Sequence, residues 1–282
     1  MLIDSKNFSI EYHSRSGYGT FHRIDKRIYS KQSEYQKIDI FENTAFGKVF
    51  TLDDVIMTRE SDEFIYHEML VHVPMILHPN PEKVLIIGGG DGGTSREVLK
   101  HSCVKQVTLC EIDEEVIKAA KTYLPFTSCE FDNSKLDIVI EDGAKFVKKF
   151  HDYFDIILID STDPTEGQAS QLFKEDFYLS CLEALKKDGI LSAETEDPFI
   201  HKEWMINAYK RIQNVFSNAY LYTAYIPQYA PGCWSFTLAF KTPGNIEPKI
   251  QNHEILTKTR YYNLNIHKAS FALPQFINTL IE

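Results

Sequence analysis

The sequence predicts an α/β fold: a mostly parallel sheet with helices on both faces, preceded by a small antiparallel β module. Three observations carry this. Between residues 83 and 193, short apolar runs alternate with helix-spaced segments, as in a sheet buried on both sides. A glycine-rich turn, Gly88-Gly-Gly-Asp-Gly-Gly93, joins the first apolar run to a helix. Residues 6–60 instead alternate apolar and polar side chains between turn residues.

The elements follow in order. Phe8-Ser-Ile10-Glu-Tyr12 and Tyr35-Gln-Lys-Ile38-Asp-Ile40-Phe41 read as strands, with turns at Ser16-Gly17, Gly19, Gly47 and Asp53-Asp54. From Asp62, the positions of Phe64, Ile65, His67, Glu68, Leu70 and Val71 have helical spacing, which ends before Pro79 and Pro81. Strands are expected at 83–87, 106–110, 136–140, 154–159 and 189–193. Asp113 is placed to cap a helix whose first turn holds Glu114 and Glu115 and whose apolar face is Val116, Ala119, Ala120 and Tyr123. A helix over roughly 172–187 precedes the fifth strand, and Tyr220–Tyr225 with Trp234–Phe240 forms a closing hairpin. This divides the chain into a strand module, residues 1–60, and a catalytic domain, residues 61–282.

Composition narrows the function. The chain is 43% hydrophobic, enough for a sizeable core, and has no run long and apolar enough for a membrane helix. The first residues, mixing Asp4, Lys6, Glu11 and Arg15, lack the apolar stretch of a secretory signal. Five scattered cysteines form no CxxC pair, so a reduced, cytoplasmic setting is expected, with neither disulfides nor a zinc site. His67 and His72 do not form HExxH and the other histidines lack ligand spacing, so no metal is expected. Without a basic run, nucleic acid is not an expected partner. Net charge is −10, but residues 61–200 hold 27 acids against 13 bases, so the excess is local.

The glycine turn has two readings. Gly88, Gly90 and Gly93 satisfy GxGxxG, which suits a dinucleotide. Asp91 opposes that, because a carboxylate 4 Å from a phosphate charge costs roughly 4 kcal/mol at an effective dielectric of 20. A Rossmann-like sheet of the S-adenosylmethionine-methyltransferase type uses the same turn without a pyrophosphate, and there an acid can hold an amine. Alternatively, Asp91 only caps the helix. Glu111 ends the second strand, where such a site places an acid for ribose hydroxyls, and Asp142-Gly143 ends the third, near an adenine amino group. Asp160 and Asp163 follow the fourth strand; either both grip a cationic head, or Asp163 caps a turn before Pro164 and only Asp160 points inward. Residues 165–171 are small and polar, like a lid, and Glu194, Glu196 and Asp197 follow the fifth strand. In a parallel sheet these acids share one edge, which predicts an acidic cleft for a cationic ligand. A methyltransferase is the nearest rival reading; a NAD-dependent oxidoreductase is a weaker one, and a catalytically silent polyamine-binding protein a third.

Taken together, these residues resemble the spermidine synthase family, the polyamine aminopropyltransferases. The resemblance rests on Tyr35-Gln-Lys-Ile38, Asp62-Glu-Phe-Ile-Tyr-His-Glu-Met69, Val84 to Gly93, Cys110-Glu-Ile-Asp113, Asp160-Ser-Thr-Asp-Pro164, Ile226-Pro-Gln-Tyr229, and Tyr261 to Phe276. It implies transfer of an aminopropyl group from decarboxylated S-adenosylmethionine, a co-substrate and not a resident cofactor, to a diamine, usually putrescine. The products are spermidine and methylthioadenosine. It further implies that Gln36, Gly88, Asp91, Glu111, Asp142 and Gly143 hold the donor. Asp160 is then the base with Tyr66 beside it, and His67, Asp91, Asp160, Asp163, Glu196 and Tyr229 meet the acceptor. It also implies a homodimer or homotetramer and a gate after Asp163. Three departures border the substrates: Glu194-Thr-Glu-Asp-Pro198, His67 and Met57. They leave the acceptor open among putrescine, cadaverine, agmatine and longer polyamines.

Overall fold

The computed structural model describes residues 7–13, 16–161, 174–248 and 253–282. The expected lid at 165–171 and Asp163 lie outside these residues.

The first part of the chain is all strand. β1 (Phe8–His13) and β2 (Tyr18–Arg23) form a hairpin. β3 (Lys26–Gln32), β4 (Lys37–Asn43), β5 (Gly47–Leu52) and β6 (Val55–Arg59) form a four-stranded antiparallel sheet. The turn between β5 and β6 is Asp53-Asp54, with φ of 48° and 67°. Two left-handed residues match the twist of a tight hairpin, and aspartate tolerates that region better than most side chains.

α1 (Glu63–Leu77) leads into the main sheet. Five strands lie parallel, in the order β11 (Leu185–Glu194), β10 (Phe154–Asp160), β7 (Lys83–Gly88), β8 (Gln106–Glu111) and β9 (Leu136–Ile140). β13 (Cys233–Phe240) joins β11 antiparallel, and β12 (Asn218–Tyr225) forms the edge beyond it. Alternate residues of the central strands enter opposite cores. Val84, Ile86, Ile156 and Leu158 pack in the core shared with α1 residues, whereas Leu85, Ile87, Ile157 and Ile159 pack in the other. Burial on both faces explains why these strands read as continuous apolar runs.

The intervening helices are α2 (Gly93–Leu99), α3 (Glu114–Tyr123), the short α4 (Pro125–Ser128) and α5 (Gly143–Phe146), then α6 (Glu175–Ala184) and α7 (Lys202–Val215). α8 (Leu264–Ser270) and α9 (Gln275–Ile281) follow the hairpin. The Asp113 carboxylate accepts the Glu115 N–H, the cap its position promises. The helix expected to reach residue 187 stops at Ala184 instead. Leu185 is already extended, and Tyr153 N–H bonds the Ala184 carbonyl, so the chain enters β11 early, with a register shift where it meets β10. α7 went unassigned from sequence, although Met205, Ala208, Tyr209 and Ile212 have helical spacing and form its buried face. Among the described residues, no helix is long and apolar enough to cross a membrane.

Candidate active site

β7 lies between β8 and β10, so chain order reverses direction beside it. A crevice opens at such a point outside the strands' carboxyl ends. The glycine turn fills its floor. Gly88 pairs with Asp160, and the Gly89 N–H donates to the Asp160 carbonyl at 2.8 Å. A Cβ on Gly88, where φ is +81°, would lie 2.0 Å from that carbonyl oxygen, so only glycine permits the approach.

A cavity of about 620 Å³ occupies the crevice. It is lined by Gln36, Met57, Thr58, Tyr66, His67, Gly88, Asp91, Glu111, Asp142, Gly143, Asp160 and Tyr229, among others. Residues from the turn before β4, from β5 and from β6 therefore roof a floor made by the parallel strands. Asp91 both caps and faces the cavity. Its Oδ1 accepts the Gly93 N–H at 2.9 Å at the start of α2, and its Oδ2 accepts the Thr58 hydroxyl from β6. Asp91 thus accepts an N–H at the start of α2 and also lines the cavity.

Asp160 is held by two hydroxyls: Tyr66 donates to Oδ1 at 2.7 Å and Thr94 to Oδ2 at 2.6 Å. Burial pushes its pKa up; His67 pulls against this, while Asp91 reinforces it. Tyr66 itself is held well above its ordinary pKa by burial and by the Asp160 charge, so it remains a donor. His67 lies 3.6 Å from Asp91 Oδ2 through Nε2, and its Nδ1 is 2.5 Å from Glu63 Oε2. Burial opposes a charge on this ring, but Asp91 and Glu63 outweigh it and raise its pKa to about 9. Its ring packs on Gly93, where a Cβ would fall 2.3 Å away.

At the other end, burial raises the pKa of Glu111 to about 7. Its Oε1 accepts the Asp113 N–H at 2.9 Å. Asp142 caps α5 through the Ala144 N–H, which leaves part of its carboxylate at the cavity wall. Sequence reasoning assigned Asp113 only a cap. In the fold its Oδ2 also accepts the Ser33 hydroxyl at 2.6 Å and the Gln36 amide at 3.3 Å, tying the strand module to the crevice. Nothing in the sequence spacing links positions 33 and 113.

Tyr229 donates to the Met57 carbonyl at 2.7 Å, and its pKa is raised well above normal by burial. A second, small cavity of about 40 Å³ adjoins here, sharing Val55, Met57, Tyr66, Ser161 and Tyr229 with the first. Glu194 lines it, but Glu196 lines neither cavity. β11 ends at Glu194, and a φ of +71° at Glu196 breaks the strand alternation that would have put both side chains on one face. Glu196 instead lies 3.1 Å from His201 Nδ1.

Two groups of histidine and acids come close enough to suggest a metal: His78, Asp155 and Asp188, and Glu196, Asp197 and His201. Asp155 is already occupied by the Lys186 ammonium at 2.7 Å and by two backbone N–H groups. His201 Nδ1 faces two carboxylates, at 2.9 and 3.1 Å.

Comparison with known proteins agrees with this geometry. The family described as the spermine/spermidine synthase domain matches residues 63–249, and the spermidine synthase tetramerisation domain matches residues 8–60. A polyamine aminopropyltransferase of Thermotoga petrophila is 54% identical over 271 residues, covering 95% of this chain and 91% of that protein. A crystal structure of spermidine synthase in complex with the transition state analogue AdoDATO superposes with a TM-score of 0.93 at 50% identity, covering 99% of this chain and 96% of the other. Spermidine synthase from Thermotoga maritima gives 0.91 at 49%, with the same coverage. The chain belongs to the spermine/spermidine synthase family, the polyamine aminopropyltransferases.

Proposed function

We propose that the chain transfers the aminopropyl group of decarboxylated S-adenosylmethionine to putrescine, releasing spermidine and methylthioadenosine. The observation that carries this is the main cavity, lined by six acids, Asp91, Glu111, Asp142 and Asp160 with Glu34 and Asp53, and suited to a cationic nucleoside at one end and an ammonium at the other. A related spermidine synthase binds AdoDATO, which supports the donor class.

In this reading Gln36, Glu111, Asp142 and Gly143 hold the nucleoside, with the ribose hydroxyls on Glu111. Gly88 and its neighbours let the backbone approach the donor. Asp91 binds the aminopropyl amine, with His67 beside it. Asp160, positioned by Tyr66, is the general base, and Tyr229 and Asp163 contact the acceptor. Glu196 acts on the acceptor only through His201, since it lies outside both cavities.

The nucleophile is a primary amine, with a pKa near that of lysine, about 10.4. Reaching its neutral form near pH 7.4 costs roughly 4 kcal/mol, three pKa units at about 1.36 each. A sulfonium beside the amine lowers that cost, and the raised pKa of Asp160 narrows its mismatch with the proton it accepts. The rest is in-line positioning of amine, methylene carbon and sulfur. The N–C bond forms as the C–S bond breaks, the electron pair leaves on sulfur, and the ammonium proton passes to Asp160.

The test is incubation with the donor and a panel of putrescine, cadaverine, agmatine and spermidine, read by mass spectrometry. Putrescine is expected to give the highest kcat/KM. Methylthioadenosine formed independently of any amine would contradict the reading. The hairpin exposes Ile10, Tyr12 and Phe21 in the segment that matches the tetramerisation domain, which supports a homo-oligomer.

Donor binding should depend on pH through Glu111. Ribose hydroxyls donate best to its carboxylate, so binding favours the deprotonated form and lowers its pKa from about 7. Affinity is therefore expected to rise severalfold between about pH 6 and 8, and Glu111→Gln to bind weakly with a flat profile. Calorimetric titration with methylthioadenosine, which leaves Asp91 unengaged, reads this directly.

A further inference from the structure

His67 sits where the main cavity meets the packed interface of α1 and α2, and both nitrogens of its ring face acids. Nδ1 meets Glu63 Oε2, one helical turn earlier on α1, at 2.5 Å. Nε2 lies 3.6 Å from Asp91 Oδ2. The side chains of His67 and Glu63 are both 3% exposed. His67 lines the main cavity, but Glu63 does not, so Glu63 can reach a substrate only through the ring.

The carboxylate is fixed in turn. Arg96 on α2 grips both Glu63 oxygens, donating to Oε1 at 2.8 Å and to Oε2 at 2.9 Å. Arg96 is itself anchored by Glu97 at 2.8 Å and by the Phe126 carbonyl at 2.6 Å. Burial opposes a charge on Glu63, but His67 and Arg96 outweigh it and lower its pKa, so it stays ionised. An ionised carboxylate at 2.5 Å requires a hydrogen on Nδ1. The proton that can come and go is therefore the one on Nε2, next to Asp91. Asp91 also accepts the Gly93 N–H and the Thr58 hydroxyl, both neutral, so the ring supplies positive charge beside this carboxylate.

We propose that Glu63, fixed by Arg96, is a positioning residue for donor recognition: it pins Nδ1–H of His67 so that Nε2 carries the exchangeable proton, serves as counter-cation to Asp91 in the free enzyme, and gives way to the aminopropyl ammonium of the donor. The proposal rests on the reading that Asp91 binds that ammonium. The titratable and charged groups facing the ring come from several elements: Glu63 and Tyr66 on α1, Asp91 in the glycine turn, Asp160 at the end of β10, and Arg96 on α2 behind Glu63. Burial opposes a charge on the ring, but Asp91 and then Glu63 raise its pKa to about 9, so it is charged at neutral pH. An arriving ammonium would set two cations against one carboxylate. The alkylammonium, with a pKa near that of lysine at about 10.4, keeps its proton, and the Nε2 proton passes to the buffer. The neutral ring keeps Nδ1–H on Glu63 and offers its Nε2 lone pair to the ammonium. A ring not pinned in this way could carry its remaining hydrogen on Nε2 and offer the ammonium no acceptor.

The experiment measures, by calorimetry across pH, the affinity of decarboxylated S-adenosylmethionine relative to that of methylthioadenosine. Both present the same ribose to Glu111, so the ratio largely cancels that titration. The free enzyme must lose the Nε2 proton to bind the donor. The ratio is therefore expected to rise with pH up to about 9, by at most about tenfold per unit, because one proton is exchanged. Glu63→Gln removes a charge that holds the imidazolium and lowers the ring's pKa. It is expected to flatten the rise, with the ratio at about pH 7 no lower than in the unaltered protein. If Glu63 were only structural, the substitution would weaken the donor at every pH and keep the slope. NMR of the His67 ring in the unaltered protein needs no variant. Nδ1 should stay protonated between about pH 6 and 10, and saturating donor should lower the ring's pKa by at least about one unit. A flat ratio in the unaltered protein, a rise that survives Glu63→Gln, or a ring that titrates at Nδ1 would each overturn the proposal. A donor that binds no tighter than methylthioadenosine at any pH would overturn the reading of Asp91 as well. The size of the ratio tells these apart, since a flat ratio well above one leaves Asp91 in its role.

Discussion

Asp160→Asn is expected to lower kcat by about a thousandfold, within the range for loss of a general base, while donor affinity changes little. The asparagine keeps the size of the side chain. Its Oδ1 can still accept the Tyr66 hydroxyl, but its amide nitrogen cannot accept from Thr94 as Oδ2 does, and it cannot take a proton. The backbone carbonyl that receives the Gly89 N–H is unaffected, so the glycine turn should hold its shape. Single-turnover formation of methylthioadenosine measures the chemical step, and calorimetry with the donor measures binding. A variant with unchanged kcat would remove Asp160 from the mechanism. Equal losses in donor binding and turnover would mean that the carboxylate serves only as an anchor.

The second large effect concerns the choice of donor. Asp91 is expected to favour decarboxylated S-adenosylmethionine over S-adenosylmethionine by about a thousandfold. Two carboxylates 4 Å apart repel by roughly 4 kcal/mol at an effective dielectric of 20, and each 1.4 kcal/mol is about tenfold. Asp91→Asn should collapse this preference towards a few fold by weakening the decarboxylated donor and admitting the carboxylated one. His67 sharpens the test. Its charge depends in part on Asp91, so the substitution should also lower its pKa from about 9, and NMR of the imidazole would follow that. A donor preference that survives Asp91→Asn would place the discrimination elsewhere in the cavity.

How much of this was legible in the sequence differs from element to element. The central strands were readable because burial on both faces removes polar residues from them, and that leaves a mark in the one-dimensional pattern. The start of α3 was readable because a cap acts over two residues, from Asp113 to Glu115. The boundary at Leu185 was not. A tertiary partner, β10, decides where β11 begins, and Lys186-Lys187-Asp188 carry no strand signal. Glu196 was grouped with Glu194 and Asp197 because all three follow the fifth strand, but side chains keep a common face only while a strand continues. The left-handed turn at Glu196 ends it.

Local chemistry thus told the sequence reader the parallel sheet, the glycine turn and the row of acids along one edge, because strand period, turn conformation and capping are short-range properties. The tertiary structure decided which acids share a cavity, what holds them, and which partners they meet. Thr58 reaches Asp91 and Gln36 reaches Asp113 only after the strand module folds over the crevice. His13 and His201 meet across 188 positions of chain. Contacts of that kind are set by the packing of whole elements, and a sequence read along its length carries no record of their distance.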